Sequence, residues 1–256
     1  MIELRALSKR FGDTVAVREV SLTVQPGELL VLVGGSGSGK TTTLRMINRL
    51  IEPTSGELRL FGEDARALPA AELRRKIGYV FQGIGLFPHL SVAENVAVTP
   101  KLLGHPPAQR RSRADELLAL VGLDPSIYRH RRPAELSGGQ QQRVGVARAL
   151  AAEPELMLLD EPFGALDPHT RERLQEHFRT LQKDLGITAV FVTHDMLEAF
   201  LLADQIGVMR SGELVQMAPP STLLDNPVDE EVRDLVQAPL RQLERIEALS
   251  AARGSA

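Results

Sequence analysis

The 256-residue chain has 43% hydrophobic residues, a formal net charge of −3 at pH 7 and no cysteine. This length and apolar content suffice to bury a sizeable core, and the missing cysteines exclude a disulfide framework and a zinc–cysteine site. The charge gives no general electrostatic reason to expect nucleic acid as a partner. The longest apolar stretches fall short of the roughly 20 residues that span a bilayer, and Met1–Leu4 lack the layout of a signal peptide. We therefore expect a soluble or peripheral protein.

Alternating patterns predict strands in the first third of the chain. Ile2–Leu7 and Val15–Val24 alternate apolar and polar residues, as half-buried antiparallel strands do. Glu28–Val33 predicts a buried strand, and Thr41–Leu50 predicts the helix that follows it. Two further strands are predicted at Gly56–Phe61 and Ile77–Gln82.

Helical periodicity replaces the strand pattern from Ser91 to about Ala152. Three strands then return, with the helix Pro168–Leu185 between the first two: Leu156–Asp160, Ile187–Thr193 and Gln205–Met209. Strands that alternate with helices imply right-handed crossovers and a mostly parallel sheet. We predict an α/β fold with one domain over residues 1–240, which has an N-terminal antiparallel β subdomain and an inserted α-helical subdomain at about 86–152. Residues 241–256 are predicted to form a helical, frayed tail.

A glycine-rich loop joins the predicted strand Glu28–Val33 to the helix that begins near Thr41. Glycine permits positive φ angles and lets backbone N–H groups approach a phosphate closely, and the helix N-terminus adds positive partial charge. Lys40 would reach the β- and γ-phosphates of a nucleotide, and Thr41 would offer its hydroxyl to Mg²⁺. The alternative is a flexible turn that happens to contain Lys and Thr. We predict a P-loop NTPase core whose nucleotide-binding residues include Gly34, Gly35, Ser36, Gly37, Ser38, Gly39, Lys40, Thr41 and Thr42.

A second acidic element follows the apolar run Leu156–Leu159, which is too short for a helix and ends in Asp160 and Glu161. Asp160 would hold Mg²⁺, directly or through water, because this metal prefers oxygen ligands. Glu161 would polarise the attacking water as the catalytic residue. Taken alone, an apolar run followed by Asp-Glu is also a common strand end.

Several motifs in one fixed order carry a family resemblance. The phosphate loop, Gln82, Asp160-Glu161, Asp167 and His194 accompany a five-residue segment that is the most specific of them: Leu136, Ser137, Gly138, Gly139 and Gln140. Together they resemble the nucleotide-binding subunit of an ATP-binding cassette (ABC) transporter. The five-residue segment matches that family's signature, although taken alone it also reads as a Ser/Gly helix cap.

The resemblance implies that two copies dock head to tail as a homodimer around two ATP molecules, each with Mg²⁺. Each phosphate loop then faces the signature of the other copy, so neither copy owns a complete site. The resemblance also implies transmembrane permease subunits as partners, an extracytoplasmic substrate-binding protein as an indirect partner and a location at the cytoplasmic face of the cell membrane.

Four further positions carry over from the family one at a time. Gln82 matches the residue that senses Mg²⁺ or the lytic water, and His194 matches the histidine that contacts the γ-phosphate. Asp167 matches the carboxylate that couples the two sites across the dimer interface, and Phe11 matches the aromatic residue that stacks on adenine. Gln82 and His194 could instead be ordinary residues at strand ends, and Phe11 could be a buried core residue.

The resemblance also implies that the loop of Gln82 contacts the permease, and the cargo follows only from the resemblance of stretches that border this loop. The single cassette without a fused membrane domain and the segment Phe87–Asn95 favour import. Met46–Thr54, Gly83–Pro88 and Thr99–Gly104 resemble osmoprotectant importers for glycine betaine, carnitine and choline. Import of polar amino acids or other small solutes is the alternative. A soluble ABC ATPase that acts on DNA or ribosomes would share the nucleotide motifs, but no sustained heptad run and only one motif set are present.

Overall fold

Two β-sheets organise the part of the chain that the computed structural model describes, residues 1–83, 85–164 and 166–241. In chain order the strands are β1 (Ile2–Phe11), β2 (Thr14–Val24), β3 (Leu29–Val33), β4 (Ser55–Leu60), β5 (Glu63–Asp64), β6 (Ile77–Val80), β7 (Leu156–Asp160), β8 (Thr188–Val192), β9 (Gln205–Arg210) and β10 (Glu213–Ala218). The helices are α1 (Lys40–Ile47), α2 (Ala70–Arg75), α3 (Val92–Val96), α4 (Val98–Leu102), α5 (Pro107–Leu120), α6 (Pro125–Tyr128), α7 (Gly138–Leu150), α8 (Pro168–Asp184), α9 (Met196–Leu202) and α10 (Pro220–Asp225). Residues 230–241 are also helical.

The larger sheet has six strands in the order β10-β9-β3-β8-β7-β6. All of its neighbours pair in parallel except β10, which is antiparallel to β9. Every residue of β3, β7 and β8 is buried, as expected for parallel strands that are covered on both faces. Because parallel strands all point the same way, the residues that follow β3, β6, β7 and β8 meet at one edge of this sheet.

The smaller sheet is antiparallel, with the order β2-β1-β4-β5. The alternation of side chains along β3 shows how the layers are stacked. Leu30 and Leu32 pack in a core cluster with residues of the antiparallel sheet and of α1, whereas Leu29, Val31 and Val33 pack in a second cluster with the helices. The parallel sheet is therefore the middle layer, and α1 lies in the core between the two sheets.

The chain between β6 and β7 is helical, from α3 to α7, as the sequence predicted. These helices share the second core cluster with β7 and β8, and α7 also packs on the edge strand β6. The division into a core and an inserted subdomain at about 86–152 stays a prediction.

The predicted strands and helices are confirmed, but some boundaries differ. Strand β1 continues past Leu7 to Phe11, through register shifts in its pairing with β2. Helix α1 ends at Ile47 rather than Leu50, because Arg49 adopts a positive φ of 55° that a right-handed helix cannot continue through. Strand β10 was not predicted. Residues 242–256 of the predicted tail lie outside the described residues.

Membrane-spanning segments are a separate question. Within the described ranges, no helix combines the length and the apolar character needed to cross a bilayer.

Candidate functional site

The loop between β3 and α1, residues 34–39, is shaped by two glycines that tolerate no side chain, Gly34 and Gly39. Gly34 has φ 149°, and a Cβ atom there would lie 2.1 Å from the carbonyl oxygen of Met209 on β9. Gly39 has φ 98°, and its Cβ would lie 2.7 Å from the carbonyl oxygen of Ala16 on β2. Both conformations disfavour L-residues, and both contacts involve backbone atoms that cannot swing away. The loop is therefore held tightly between β9 and β2.

Lys40 begins α1, and its side chain folds into this loop. Its Nζ atom donates hydrogen bonds to the carbonyl oxygens of Gly34 and Gly35, both at 2.8 Å, and to Ser38 Oγ at 3.1 Å. Burial lowers the pKa of Lys40, while the nearby carboxylates of Glu161 and Asp160 act in the opposite direction. The loop thus presents a fixed cation beside the N-terminus of a helix, an arrangement that attracts phosphate.

Thr41 and Asp160 bring the loop and β7 together. Thr41 Oγ1 donates to Asp160 Oδ1 at 2.8 Å. The other carboxylate oxygen, Asp160 Oδ2, is buried, has no hydrogen-bond partner among the described residues and lies 4.0 Å from a guanidinium nitrogen of Arg45. Burial raises the pKa of Asp160, and the Thr41 hydrogen bond and the Arg45 charge oppose that rise. The Thr41 hydroxyl and the Asp160 carboxylate therefore lie side by side, and Asp160 Oδ2 can still accept an interaction.

Glu161 follows directly at the end of β7, in a left-handed conformation with φ 47°. Such a conformation costs a non-glycine residue roughly 1–3 kcal/mol and persists only where the surroundings hold it. Its N–H donates to the carbonyl oxygen of Val192 at 3.0 Å. Its Oε1 lies 3.3 Å from Nδ1 of His194, which follows β8. The strained backbone directs Glu161 toward His194 at the edge of the sheet.

A small cavity of about 50 Å³ lies beside the Glu161–His194 pair. It is lined by Glu161, Phe163, Gly164, Arg171, Thr193, His194, Asp195 and Glu198. Its volume and polar lining suit one or two water molecules. A water could therefore be bound beside the Glu161 carboxylate.

The segment Leu136–Gln140 lies at the start of α7 and forms a helix cap. Ser137 Oγ accepts from the Gln140 N–H at 3.3 Å, and Gln140 Oε1 accepts from the Ser137 N–H at 3.0 Å. Leu136 is buried in the core, whereas Ser137 and Gly138 are exposed. The cap interpretation is thus correct as local structure, and it leaves Ser137 and Gly138 accessible to another molecule.

The three remaining predicted residues are exposed: Gln82 and Asp167 lie between secondary-structure elements, and Phe11 ends a strand. Gln82 is exposed just after β6, which pairs in parallel with β7, so it lies at the same sheet edge as Asp160. Asp167 caps α8 by accepting from the Thr170 N–H at 3.0 Å, a hydrogen bond that lowers the pKa of Asp167. Phe11 is 50% exposed at the end of β1, with Lys9 Nζ 5.1 Å from its ring centroid. The core alternative for Phe11 is therefore wrong.

Two polar residues that were not predicted from the sequence, Tyr79 and Gln142, lie around these groups. Tyr79 lies close to Asp160, and burial together with the Asp160 charge raises the pKa of Tyr79 to about 12. Gln142 is buried on α7 and donates to the carbonyl oxygen of Glu161 at 3.0 Å. The signal for Gln142 was its place on the apolar stripe that includes Val146 and Leu150 at four-residue spacing, where a polar residue needs a partner.

Comparisons with known proteins decide the family. Residues 17–164 match the family model described as ABC transporter. The chain belongs to the ABC transporter family. The cassette is 52% identical to the choline transport ATP-binding protein OpuBA of Bacillus subtilis, over 97% of this chain and 67% of that protein. It is 53% identical to the glycine betaine/carnitine/choline transport ATP-binding protein OpuCA of the same organism, over 92% of this chain and 62% of that protein. The cassette thus spans about two thirds of the length of these relatives.

A solved structure shares the fold. The ATP-binding cassette MJ0796, in a dimeric post-hydrolysis state bound to ADP and Pi, is 36% identical, with a TM-score of 0.79 over 86% of this chain and 98% of that one. The predicted ABC ATPase fold and the ATPase class are therefore confirmed. The resemblance to osmoprotectant import proteins is confirmed as sequence similarity.

Proposed function

We propose that the cassette hydrolyses ATP as one of two identical subunits docked head to tail, and that this cycle drives an importer. The observation that carries the proposal is the convergence at one sheet edge of Lys40 in the phosphate loop, the Thr41–Asp160 pair and the Glu161–His194 pair. A phosphate-binding loop beside a carboxylate that can orient water is the arrangement needed for phosphoryl transfer to water.

Catalysis in this site would come mostly from positioning and charge neutralisation. The N–H groups of the phosphate loop and Lys40 bind the phosphates, and Glu161 orients the attacking water and accepts its proton. His194 holds the Glu161 carboxylate and contacts the γ-phosphate. Gln82, at the neighbouring strand end, faces the same water.

Mg²⁺ fits the oxygens that the structure brings together. Thr41 Oγ1 and Asp160 would hold it, with Gln82 as a further ligand, and the buried Asp160 Oδ2 has acceptor capacity to spare. In the described ranges no group of three or more His, Cys, Asp or Glu side chains could hold a metal, so phosphate oxygens and water would complete its shell. When bound, the ion neutralises negative charge on the phosphates.

A second copy is proposed because, in the described residues, no hydrogen bond joins Leu136–Gln140 to the phosphate loop. Ser137 and Gln140 hydrogen-bond each other, Gln140 Nε2 also donates to Tyr128 Oη on α6 at 3.2 Å, and Ser137 and Gly138 are exposed. The dimeric state of the cassette MJ0796 supports pairing. In the proposed dimer Ser137, Gly138 and Gly139 bind the γ-phosphate held by the partner, and Asp167 lines the interface between the two sites.

The relatives suggest the cargo. Their names refer to choline, glycine betaine and carnitine, which are quaternary amines used as osmoprotectants. We infer import of this class, through permease subunits that hold the cassette at the cytoplasmic face of the membrane and an extracytoplasmic binding protein that supplies the cargo. Nucleic acid is not an expected partner.

Uptake measurements test the proposed cargo. Cells that lack osmoprotectant uptake should take up radiolabelled glycine betaine or choline when they produce the cassette with its permease and binding protein. Unlabelled quaternary amines should compete, and arginine or glutamine should not. The reverse competition would favour polar amino acids, and ATPase stimulation by DNA or ribosomes without uptake would contradict a transport function.

The adenine contact of Phe11 gives a separate test. We expect Phe11→Ala to weaken ATP binding roughly tenfold, because a base–aromatic stack contributes about 1–3 kcal/mol. Tripolyphosphate has no base, so calorimetry should show its binding unchanged. Phe87→Ala, which removes a similarly exposed ring elsewhere, should alter neither ligand. Equal losses for ATP and tripolyphosphate would show that Phe11 supports the loop rather than the base.

A further inference from the structure

Helix α7 connects three parts of the molecule that sequence motifs alone do not link: the signature, Glu161 and the segment after Gln82. It begins at the Ser137 cap, where the signature lies. Four residues into the helix, buried Gln142 reaches the end of β7, and near its C-terminus Arg148 donates to the carbonyl oxygen of Gly85 at 2.6 Å. Gly85 lies three residues after Gln82. One helix therefore contacts both the backbone carbonyl of the predicted catalytic residue Glu161 and the segment that follows Gln82.

The contact between Gln142 and Glu161 is a backbone clamp. Gln142 Nε2 donates to the carbonyl oxygen of Glu161 at 3.0 Å, and the Glu161 N–H donates to the Val192 carbonyl oxygen at 3.0 Å. The left-handed peptide of Glu161 is thus held at its N–H by β8 and at its carbonyl oxygen by α7, and the same oxygen also accepts from the Gly164 N–H at 3.3 Å. Since the direction of its side chain depends on that strained backbone, a shift of α7 changes where the carboxylate points.

Gln142 lies close to the signature on the same helix, α7. Gln142 follows Gly138 by four residues, about 6 Å at 1.5 Å per residue. A displacement of the helix N-terminus therefore reaches Gln142 almost undiminished. The two ends of this short span serve different nucleotides in the head-to-tail dimer, because Ser137 faces the partner's γ-phosphate while Glu161 acts in its own subunit.

We propose that Gln142 is a positioning residue that transmits engagement of the signature at one nucleotide to Glu161 at the other. This inference rests on the proposed head-to-tail dimer. Binding of the partner's γ-phosphate sets the position of α7, and Gln142 then holds the Glu161 backbone in the conformation that orients water. The two ATP molecules are thereby hydrolysed in a coordinated way.

Gln142→Met tests the positioning role, because methionine keeps an unbranched side chain of similar length and removes the amide donor. We expect kcat for ATP hydrolysis to fall about tenfold or more, as for loss of a well-placed catalytic contact. The dissociation constant for ATP should change less than twofold, since the phosphate loop is untouched. ATP-dependent dimerisation, measured by size exclusion without Mg²⁺, should persist.

The matched control is Gln182→Met. Gln182 is also a buried helical glutamine whose amide donates to backbone carbonyls, those of Gly27 and Ile187, but it lies on α8 away from the site. Its loss should lower the melting temperature without a tenfold fall in kcat. An equal fall in both variants would show that Gln142 supports only the fold. Gln142→Asn keeps the amide but shortens its reach, and it should show the same kcat loss if the methionine variant fails to fold.

Transmission from the signature is tested by a double variant. If Ser137 acts on Glu161 through Gln142, the loss of kcat in the variant that combines Ser137→Ala and Gln142→Met should be at least threefold smaller than the product of the single losses. If the loss of kcat in the double variant equals the product of the two single losses, Ser137 does not act through Gln142. A parent protein without ATPase activity would contradict the proposed function itself. A Gln142→Met variant that turns over within twofold of an active parent would overturn this inference alone.

Discussion

Glu161→Gln should bind ATP, hold two copies together and turn over at least about 100-fold more slowly than the parent protein. The amide keeps the size of the side chain and its place 3.3 Å from His194, but it can no longer accept a proton from water. Because the γ-phosphate stays intact, the contacts that close the dimer persist. Steady-state hydrolysis and size exclusion in ATP and Mg²⁺ measure the two halves of this expectation.

Glu176→Gln is the matched control for that change. Glu176 is exposed on α8, so its loss should leave both hydrolysis and dimerisation at parent values. Hydrolysis by Glu161→Gln at the parent rate would remove the role assigned to Glu161. A slow but strictly monomeric variant would keep the catalytic role and contradict the closure of the dimer around ATP.

Lys40→Ala should lose most of its affinity for ATP, with a dissociation constant raised by roughly tenfold to 100-fold, because it removes a charged hydrogen-bond donor from a buried phosphate site. The variant also frees the carbonyl oxygens of Gly34 and Gly35, which Lys40 Nζ contacts at 2.8 Å. Titration calorimetry with ATP and Mg²⁺ is the direct measurement, and a thermal melt shows whether the fold survives.

Lys183→Ala provides the comparison for that experiment, since Lys183 is an exposed lysine at the end of α8. It should bind ATP as the parent does. Unaltered ATP binding by Lys40→Ala would mean that the phosphates are not bound through this lysine, and the proposal for the whole site would then lose its starting point.

Local patterns explain why so much of the site could be predicted from the sequence. The phosphate loop, Asp160 and Glu161 each lie within a few residues of a buried apolar strand, and the edge of a parallel sheet brings such positions together without further information. The glycines at positions 34 and 39 fit this local pattern as well, because their positive φ angles and close backbone contacts leave no room for a side chain.

Contacts that depend on packing between distant segments were beyond this kind of prediction. Gln142 and Glu161 are 19 residues apart, and the amide of a buried glutamine carries no mark of the carbonyl that it will meet. Arg148 and Gly85 are separated by 63 residues. Strand β10 was missed because its side chains are mostly half-buried and, among the residues that the structure describes, it pairs with β9 alone at the edge of the sheet.

The register in which β3, β8 and β7 pair fixes the position of the catalytic carboxylates relative to the phosphate loop. Val192 pairs with Leu32 on one side and with Asp160 on the other, so β8 sets how far the carboxylate stands along the sheet relative to the phosphate loop. A slip of one residue moves a strand by about 3.3 Å and turns its side chains to the opposite face. An insertion or deletion within β7 would therefore silence the enzyme while leaving every one of its functional side chains in the chain.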